Sequence, residues 1–464
     1  MKPTRQNVLL AVVALGNALL WIIPSNVVEL VARDQHTLLG RYSRTHFAWI
    51  LGMIPISAIM LYIGLAGRPA VRKIRSFRVL ASLLIVVPVI VVGDWIMRFE
   101  RGAHYVGDSL AYHRPPNEVF EESYDDRPQA LRTYTNAPEG FGTVECTLHT
   151  DRRGYRNRTD LEVYDAVVLG DSFAEGSGVT DGDSWPDRLS EASGLSVYNL
   201  GMSGYAPQHY LASLVEYGLA LHPKTVFCLL YEGNDVRSAR VTNQPESGAD
   251  RLFKSSPLRQ KLDDLIVGAF APIGAHRKLK ELEMLSWLPL SVPAEGSGPH
   301  YAFAPKQLLS LYVDAETLVN AKRWKATTEI LQDMNARCVA AGAELVLVYA
   351  PTKAHVVLPL VADQLPAEKV HAFAALRAKN PLPPPQRFLQ TLPDKMDAYE
   401  TIAQRWCDEE GIDFVSLTPS LRKAVATGRQ IYYTYDQHWT PVGHEVVAQV
   451  VARYCINRAN DSGA

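Results

Sequence analysis

Three residues in this chain could together activate a hydroxyl. Ser172 stands in Gly170-Asp171-Ser172-Phe173, directly after the apolar run Ala166-Val167-Val168-Leu169. A serine that follows a strand lies at the end of a sheet, where side chains from neighbouring strand ends can converge on it. Far downstream, Asp436-Gln437-His438-Trp439 offers a carboxylate and an imidazole. A serine hydroxyl is a weak nucleophile until a positioned base accepts its proton, so the trio points to covalent catalysis by an activated serine.

Gly-Asp-Ser occurs three times in the chain, so context has to select among the copies. Gly107-Asp108-Ser109-Leu110 runs from Arg101-Gly102-Ala103-His104-Tyr105 into Arg114-Pro115-Pro116, with no strand before it and no helix after it, and reads as loop. Gly182-Asp183-Ser184 precedes Trp185-Pro186-Asp187, where Ser184 fits a helix N-cap with Pro186 in the first turn and Asp187 at the third helical position. Only Ser172 has the strand-to-loop setting that a nucleophile needs.

The elements that must position these residues follow from the pattern after residue 164. Short β-rich runs at 166–169, 195–199, 225–231, 344–349 and 412–416 lack alternation, which suits strands covered on both faces. Helices are expected between them at 185–192, 207–221, 315–341, 395–410 and 442–456. The last has Val446, Val447, Val450, Val451 and Tyr454 at helical spacing, with Thr440 and Pro441 at its start. This alternation predicts an α/β domain with a doubly wound parallel sheet over 164–464. It is interrupted at about 237–307 by an insertion that is either a lid or acceptor surface or a substrate-neutral excursion. Residues 99–163 are polar, poorly periodic and rich in Arg, Asp and Pro, and read as a linker packed on the domain edge.

Four segments then fall at strand ends or beside the same sheet edge: Ser172; Asn199-Leu200-Gly201-Met202-Ser203-Gly204; Glu232-Gly233-Asn234-Asp235; and Asp436-Gln437-His438. In this order they resemble the blocks of the SGNH (GDSL-like) hydrolase family over roughly residues 160–456, the insertion excepted. The resemblance implies the flavodoxin-like SGNH fold. It makes Ser172 the nucleophile, His438 the base and Asp436 its orienting carboxylate. The oxyanion donors become the Ser172 backbone N–H, Gly204 and Asn234, with Gly201 a rival to Gly204. The chemistry asks for these types: glycine lets a backbone N–H approach closely, an asparagine amide adds a neutral donor, and an aspartate holds the histidine tautomer. Asp171 is expected to brace the nucleophile turn, Trp185 and Trp439 to pack around the site with sugar stacking as the alternative, and His444 to be structural or at the surface.

Two departures from the family pattern are visible. Tyr435 stands three residues before His438, where the family usually has Asp, and Asp436 stands two before. That spacing, with Trp439 following, is similar to SGNH relatives that handle acetyl groups on exported polysaccharides. Glycine also directly precedes Asn234 rather than standing two residues before it.

Composition places this domain. The 464 residues carry a formal net charge of −2, which argues against a nucleic-acid partner. The first hundred residues are far more apolar than the rest, with three stretches long enough to cross a bilayer at about 8–31, 47–66 and 79–97. The membrane region is therefore 1–98, and two further spans after the first favour an anchor over a cleaved signal peptide. Arg68, Arg72, Lys73, Arg75 and Arg78 between spans two and three, with Lys2 and Arg5 at the start, outnumber Arg33, Arg41 and Arg44 between spans one and two. This bias predicts a multi-pass protein of the cytoplasmic (inner) membrane with its catalytic domain outside the cytoplasm. Glu29 and Asp94 lie near span ends and are read as interfacial.

The five cysteines (Cys146, Cys228, Cys338, Cys407, Cys455) show no paired spacing and are expected to be buried small side chains, though a disulfide stays open. No metal-ligand spacing and no glycine-rich phosphate loop is present, so neither metal nor cofactor is expected. The resulting expectation is a membrane-anchored serine esterase that hydrolyses small O-acyl esters, acetyl on an exported glycan above all, through an acyl-serine. The alternatives are an O-acetyltransferase that uses the same residues and needs a membrane acetyl-donor protein, and a non-catalytic glycan-assembly subunit.

Overall fold

The computed structural model describes residues 5–23, 36–39, 42–100, 110–126, 140–239, 257–270, 288–291, 300–303, 305–362, 365–375, 378 and 380–462. The chain divides into two compact units, one of Met1–Gly102 with Gln129–Asn136 and Ser247–Glu281, the other of Ala103–Pro128, Ala137–Glu246 and Leu282–Ala464.

The first unit holds three long helices, Arg5–Ile22, Arg44–Gly64 and Pro69–Glu100, and a fourth at Pro257–Phe270. The first three each contain a segment long and apolar enough to cross a membrane: Arg5–Ile22, His46–Gly64 and Pro69–Asp94. Their apolar side chains face outward, Leu84 at 68% exposure and Val89 at 64%, which suits a lipid surround better than water. Asn17 donates its amide to Ser57 Oγ at 2.7 Å and to Val13 O at 2.8 Å, so this mid-helix polar group is satisfied within the unit. The third helix begins ten residues before the expected span, because Arg72, Lys73, Arg75 and Arg78 lie on its first turns rather than in a loop. Hydropathy marks only the lipid-compatible stretch, while lysine and arginine are good helix formers and extend it. The end of the expected first span, residues 24–31, lies outside the described residues.

The second unit is built on a five-stranded sheet: β1 (Ala166–Leu169), β2 (Val197–Asn199), β3 (Thr225–Tyr231), β4 (Glu344–Ala350) and β5 (Asp413–Ser416). All pairings are parallel and the order is β2-β1-β3-β4-β5. Alternate residues serve opposite cores. Val168, Leu229, Tyr231 and Val348 face the helices Trp185–Ser193, Lys353–Val361 and Pro441–Ser462. Val167, Cys228, Leu230 and Leu347 face Pro207–Ser213, Lys322–Ala340 and Ala398–Glu410. This is the doubly wound arrangement, and its strand order reverses between β1 and β3, the place where such sheets bind ligands at their carboxyl edge.

Several helices are shorter than expected. The one starting at Pro207 gives way to a π-helical turn at Leu214–Gly218 and a 3-10 turn at Leu219–Leu221. The expected 315–341 helix breaks between Val319 and Lys322, and 395–410 breaks at Asp397. The segment read as a linker contains an antiparallel hairpin, Val119–Asp125 with Thr143–His149. Val144, Cys146 and Leu148 are its buried row, a period-two signal overlooked amid the charges. Most of the 237–307 insertion lies outside the described residues; a ribbon at Leu288–Ser291 and His300–Phe303 is described in the second unit.

Leu229 is fully buried in the central strand, so Leu229→Ala is expected to lower unfolding stability by about 2–5 kcal/mol. The check is a lower midpoint in urea or thermal unfolding of the full chain.

Candidate active site

β1 stops at Leu169, and Gly170-Asp171 turns the chain into a four-residue helix, Ser172–Glu175. Asp171 caps it: Oδ1 accepts from Phe173 N at 3.0 Å, while its carbonyl takes the N–H groups of Ala174 and Glu175. Among the described hydrogen bonds of this turn, none uses the Ser172 N–H. Buried Arg156 closes the other end, donating to the carbonyls of Glu175, Gly176 and Val179.

The imidazole arrives from a loop 266 residues away. His438 Nε2 lies 2.7 Å from Ser172 Oγ, and Nδ1 lies 2.6 Å from Asp436 Oδ1. The same carboxylate oxygen accepts the His438 backbone N–H at 2.9 Å, and Tyr124 Oη donates to Oδ2 at 3.4 Å. The ring of Phe173 packs on the imidazole at 4.9 Å between centroids. Ser172, His438 and Asp436 are thus one hydrogen-bonded chain, with the two-residue spacing letting a single carboxylate hold both the ring and the backbone of its histidine.

The remaining sequence candidates surround this chain. Asn234, at the turn after β3, donates Nδ2 to Asp171 Oδ2 at 3.1 Å, which fixes the amide beside the nucleophile turn. The turn itself is pinned by Asp235, whose carboxylate accepts from Tyr231 N at 2.7 Å and Tyr210 Oη at 2.9 Å. Gly204 sits at φ +84°, a left-handed conformation that favours glycine. The rival Gly201 has its N–H committed to Asn199 Oδ1 at 2.8 Å, and a Cβ there would meet the Glu175 backbone N at 2.5 Å. Gly201 therefore serves close packing, and Gly204 is the better placed for an exposed donor.

His444 is buried, accepts from Trp185 N at 3.2 Å and is held neutral by burial, a structural histidine. Trp185 and Trp439 are fully buried, so neither face is open to a sugar ring. Ser184 caps Trp185–Ser193 as its sequence suggested, and Gly107-Asp108-Ser109 lies outside the described residues.

Three residues that the sequence did not flag complete the surroundings. Glu175 is buried and accepts from Arg114 Nε at 2.6 Å and from Ser203 N at 3.0 Å, tying the nucleophile helix to the Gly201–Gly204 loop. Arg114 and Tyr124 come from the segment before residue 163, and nothing local in their sequence announces a partner so distant in the chain.

Electrostatics set the proton states. Burial opposes the charge on Asp436, but the hydrogen bonds and positive charge of His438, with Lys353 adding its own, bring it down to about 2. Burial would lower His438, but the hydrogen bond and charge of Asp436, with Asp171 and Glu175, raise it. Burial pushes Asp171 up; Glu175 is held down despite burial because Arg114 faces it. The arrangement can deprotonate Ser172 Oγ and stabilise the resulting imidazolium.

Residues 311–463 match the family model described as SGNH hydrolase-like domain, acetyltransferase AlgX. Over this stretch the chain is similar to an SGNH hydrolase-like domain. The matched stretch holds Asp436 and His438, while Ser172, Gly204 and Asn234 precede it. The chain is similar to three bacterial structures. They are a lipolytic protein G-D-S-L family member from Veillonella parvula (9% identity, 62% of this chain and 96% of that one, TM-score 0.28), a GDSL-like lipase from Bacteroides thetaiotaomicron (14%, 63% and 88%, 0.28), and a mutant acetyl-xylooligosaccharide esterase from Geobacillus Stearmophilus (12%, 64% and 95%, 0.30). Likenesses at this level add nothing to the site, which rests on its own geometry. No match was found among curated proteins.

His438 must be neutral to accept the serine proton, so activity is lost as pH falls through its raised pKa. The expected kcat/KM profile therefore rises through an apparent pKa above 6.5, with Asp436 charged throughout. Asp436→Asn removes what raises His438, so the limb is expected to move to lower pH while kcat falls by about 10⁴-fold. A pH–rate series on both proteins checks the sign.

Proposed function

We propose that this protein is a membrane-anchored serine enzyme acting on small O-acyl esters, acetyl above all, through an acyl intermediate on Ser172. The observation that carries this is the unbroken chain from Ser172 Oγ through His438 to Asp436, at 2.7 and 2.6 Å. In the first half-reaction His438 takes the hydroxyl proton as Oγ attacks the carbonyl carbon. The oxyanion is received by the Ser172 N–H, the Gly204 N–H and the second amide hydrogen of Asn234, each such donor typically contributing a hundred- to thousand-fold in rate, roughly. His438 then gives the proton to the leaving alcohol. In the second half-reaction His438 takes the proton of the incoming hydroxyl as its oxygen bonds the acyl carbon, the ester bond to Ser172 Oγ breaks, and His438 returns the proton to Oγ.

Water as that hydroxyl makes the protein an esterase, the first reading. A sugar hydroxyl makes it an O-acetyltransferase, and the match of residues 311–463 to the acetyltransferase AlgX model favours this second reading. In both, the substrate is an exported glycan, the three apolar helices anchor the chain in the cytoplasmic membrane and the SGNH-like domain lies outside. The transferase would draw acetyl groups from a membrane donor protein.

The test offers the purified full chain a chromogenic acetyl ester, with and without oligosaccharide acceptors. Turnover is expected to vanish in Ser172→Ala; persistence of turnover in that variant would remove Ser172 from the mechanism. Acetylated acceptor forming faster than free acetate selects the transferase, and acetate alone selects the esterase. Reporters fused after residue 70 and at the C-terminus are expected to read inside and outside, respectively.

A further inference from the structure

The catalytic aspartate and histidine stand on a stretch with little regular structure of its own: residues 433–438 are flanked by one isolated bridge, Tyr432 with Trp439. A backbone that is buried and irregular has N–H and C=O groups that need partners from elsewhere. Two charged side chains supply them from opposite polarities. Asp126 is 5% exposed and accepts three successive amides: Thr434 N at 2.8 Å, Tyr435 N at 3.1 Å and Asp436 N at 2.8 Å. It also takes Phe141 N at 2.9 Å. Lys353 is 0% exposed, and its Nζ donates to the carbonyls of Tyr433 at 3.1 Å, Thr434 at 2.9 Å and Asp436 at 2.9 Å, with Tyr435 O at 3.4 Å. Three hydrogens on one ammonium meet three short carbonyl contacts, so its donor capacity is used up on this loop.

Lys353 does not sit there for the good of its own element. Lys353 opens the helix Lys353–Val361, where a positive charge opposes the helix dipole. Burial pushes it from the usual lysine range down to about 7, with the charges of Asp126 and Asp436 acting in the opposite direction. The aromatic ring of Phe303 lies 5.9 Å from Nζ. A side chain that strains both its burial and its helix is holding something else in place.

We propose that Lys353 and Asp126 are positioning residues for the acyl-transfer chemistry, gripping the carbonyls and amides of residues 433–436 so that the Asp436 carboxylate meets His438 Nδ1. This rests on the assignment of Ser172, His438 and Asp436 as the reacting chain. Neither residue touches substrate; both act through the path of the loop. Displacing a catalytic group by about 1 Å can cost a hundredfold in rate, and loosening either grip permits that displacement.

The experiment compares Lys353→Met and Asp126→Asn with the wild-type full chain and with Ser172→Ala, counting folded sites by titration with an organophosphorus ester that labels the active serine. Each variant is expected to lower kcat about a hundredfold with KM changed less than about threefold. Asp126→Asn is also expected to shift the acid limb of the kcat/KM profile to lower pH, because Asp436 would support the imidazolium less well. A purely structural lysine or aspartate would lower the fraction of titratable sites and leave kcat per titrated site where it was. Wild-type kcat per titrated site in either variant, or an unmoved limb in Asp126→Asn, overturns the proposal. If Lys353→Met yields no titratable protein, Asp126→Asn decides alone by the same two readouts. Full activity in Ser172→Ala would instead dismiss the underlying site assignment.

Discussion

A strand buried on both faces has little room for charged side chains, so the charged groups of this site gather where the strands stop. Every residue of β1 is 0% exposed, and the first polar side chains after it are Asp171 and Ser172. Because all five strands run parallel, their stops lie along one edge, and the turns there must find partners in one another. Carboxylates do the joining. Asp171 holds Asn234 and so links the ends of β1 and β3. Glu232 accepts the N–H and hydroxyl of Thr352, each at 2.8 Å, and links β3 to β4. Glu175 ties the nucleophile helix to the loop after β2. The site is thus the place where the sheet edge satisfies its own backbone, and catalytic geometry follows from that demand.

So many buried carboxylates near one histidine raise the question of which remain charged. Burial pushes up both Asp171 and Asp235, and the charge of Asp171 raises Asp235 further. Partners win at Glu175, which faces Arg114 and Arg156, and at Glu232, which faces His355 Nδ1 at 3.0 Å. Glu175 therefore remains an anion near His438, and Asp436 remains one against its ring. Both favour a positive charge on the His438 imidazole, while Arg114 and Arg156 hold the excess negative charge in check. The base is strong because its surroundings are ionic by design of partners, not merely because it is buried.

How much of this was legible in the sequence depends on range. The bounds of β1 and β3 follow from four and seven uninterrupted apolar or β-branched positions, and the helix after Ser184 from its cap and Pro186. Ser172, Gly204, Asn234, Asp436 and His438 stand out as candidates because each follows a strand or sits in a short ordered motif. Long helices were overcalled where one residue interrupts the run without changing its hydropathy. Asp397, for example, ends one helix, begins another and turns its carboxylate to His355 Nε2 at 2.7 Å. Asp126, Arg114 and Tyr124 were hidden for a different reason. Their segment carries many charges, and only a contact about three hundred positions away gives the Asp126 and Tyr124 carboxylate or hydroxyl its meaning.

Lys353 shows why that last class resists prediction. Read locally, Thr352-Lys353-Ala354 is a capped helix start, and a lysine there belongs in solvent. Local rules would favour an apolar or acidic residue at a fully buried position in a helix's first turn. The conflict disappears only when the loop of residues 433–436 is placed over the ammonium, because its carbonyls then replace the lost water one for one. Asp126 on the amide side completes the exchange, and the two opposite charges leave the loop with its donors and acceptors met although it is neither helix nor strand. A loop held this way can keep the Asp436 and His438 side chains at fixed distance without belonging to a regular element. Regular elements could not have served as well: a helix turns residues two apart to different sides, and a strand keeps them on one side but directs its backbone N–H into the sheet plane, away from the carboxylate that Asp436 must offer His438.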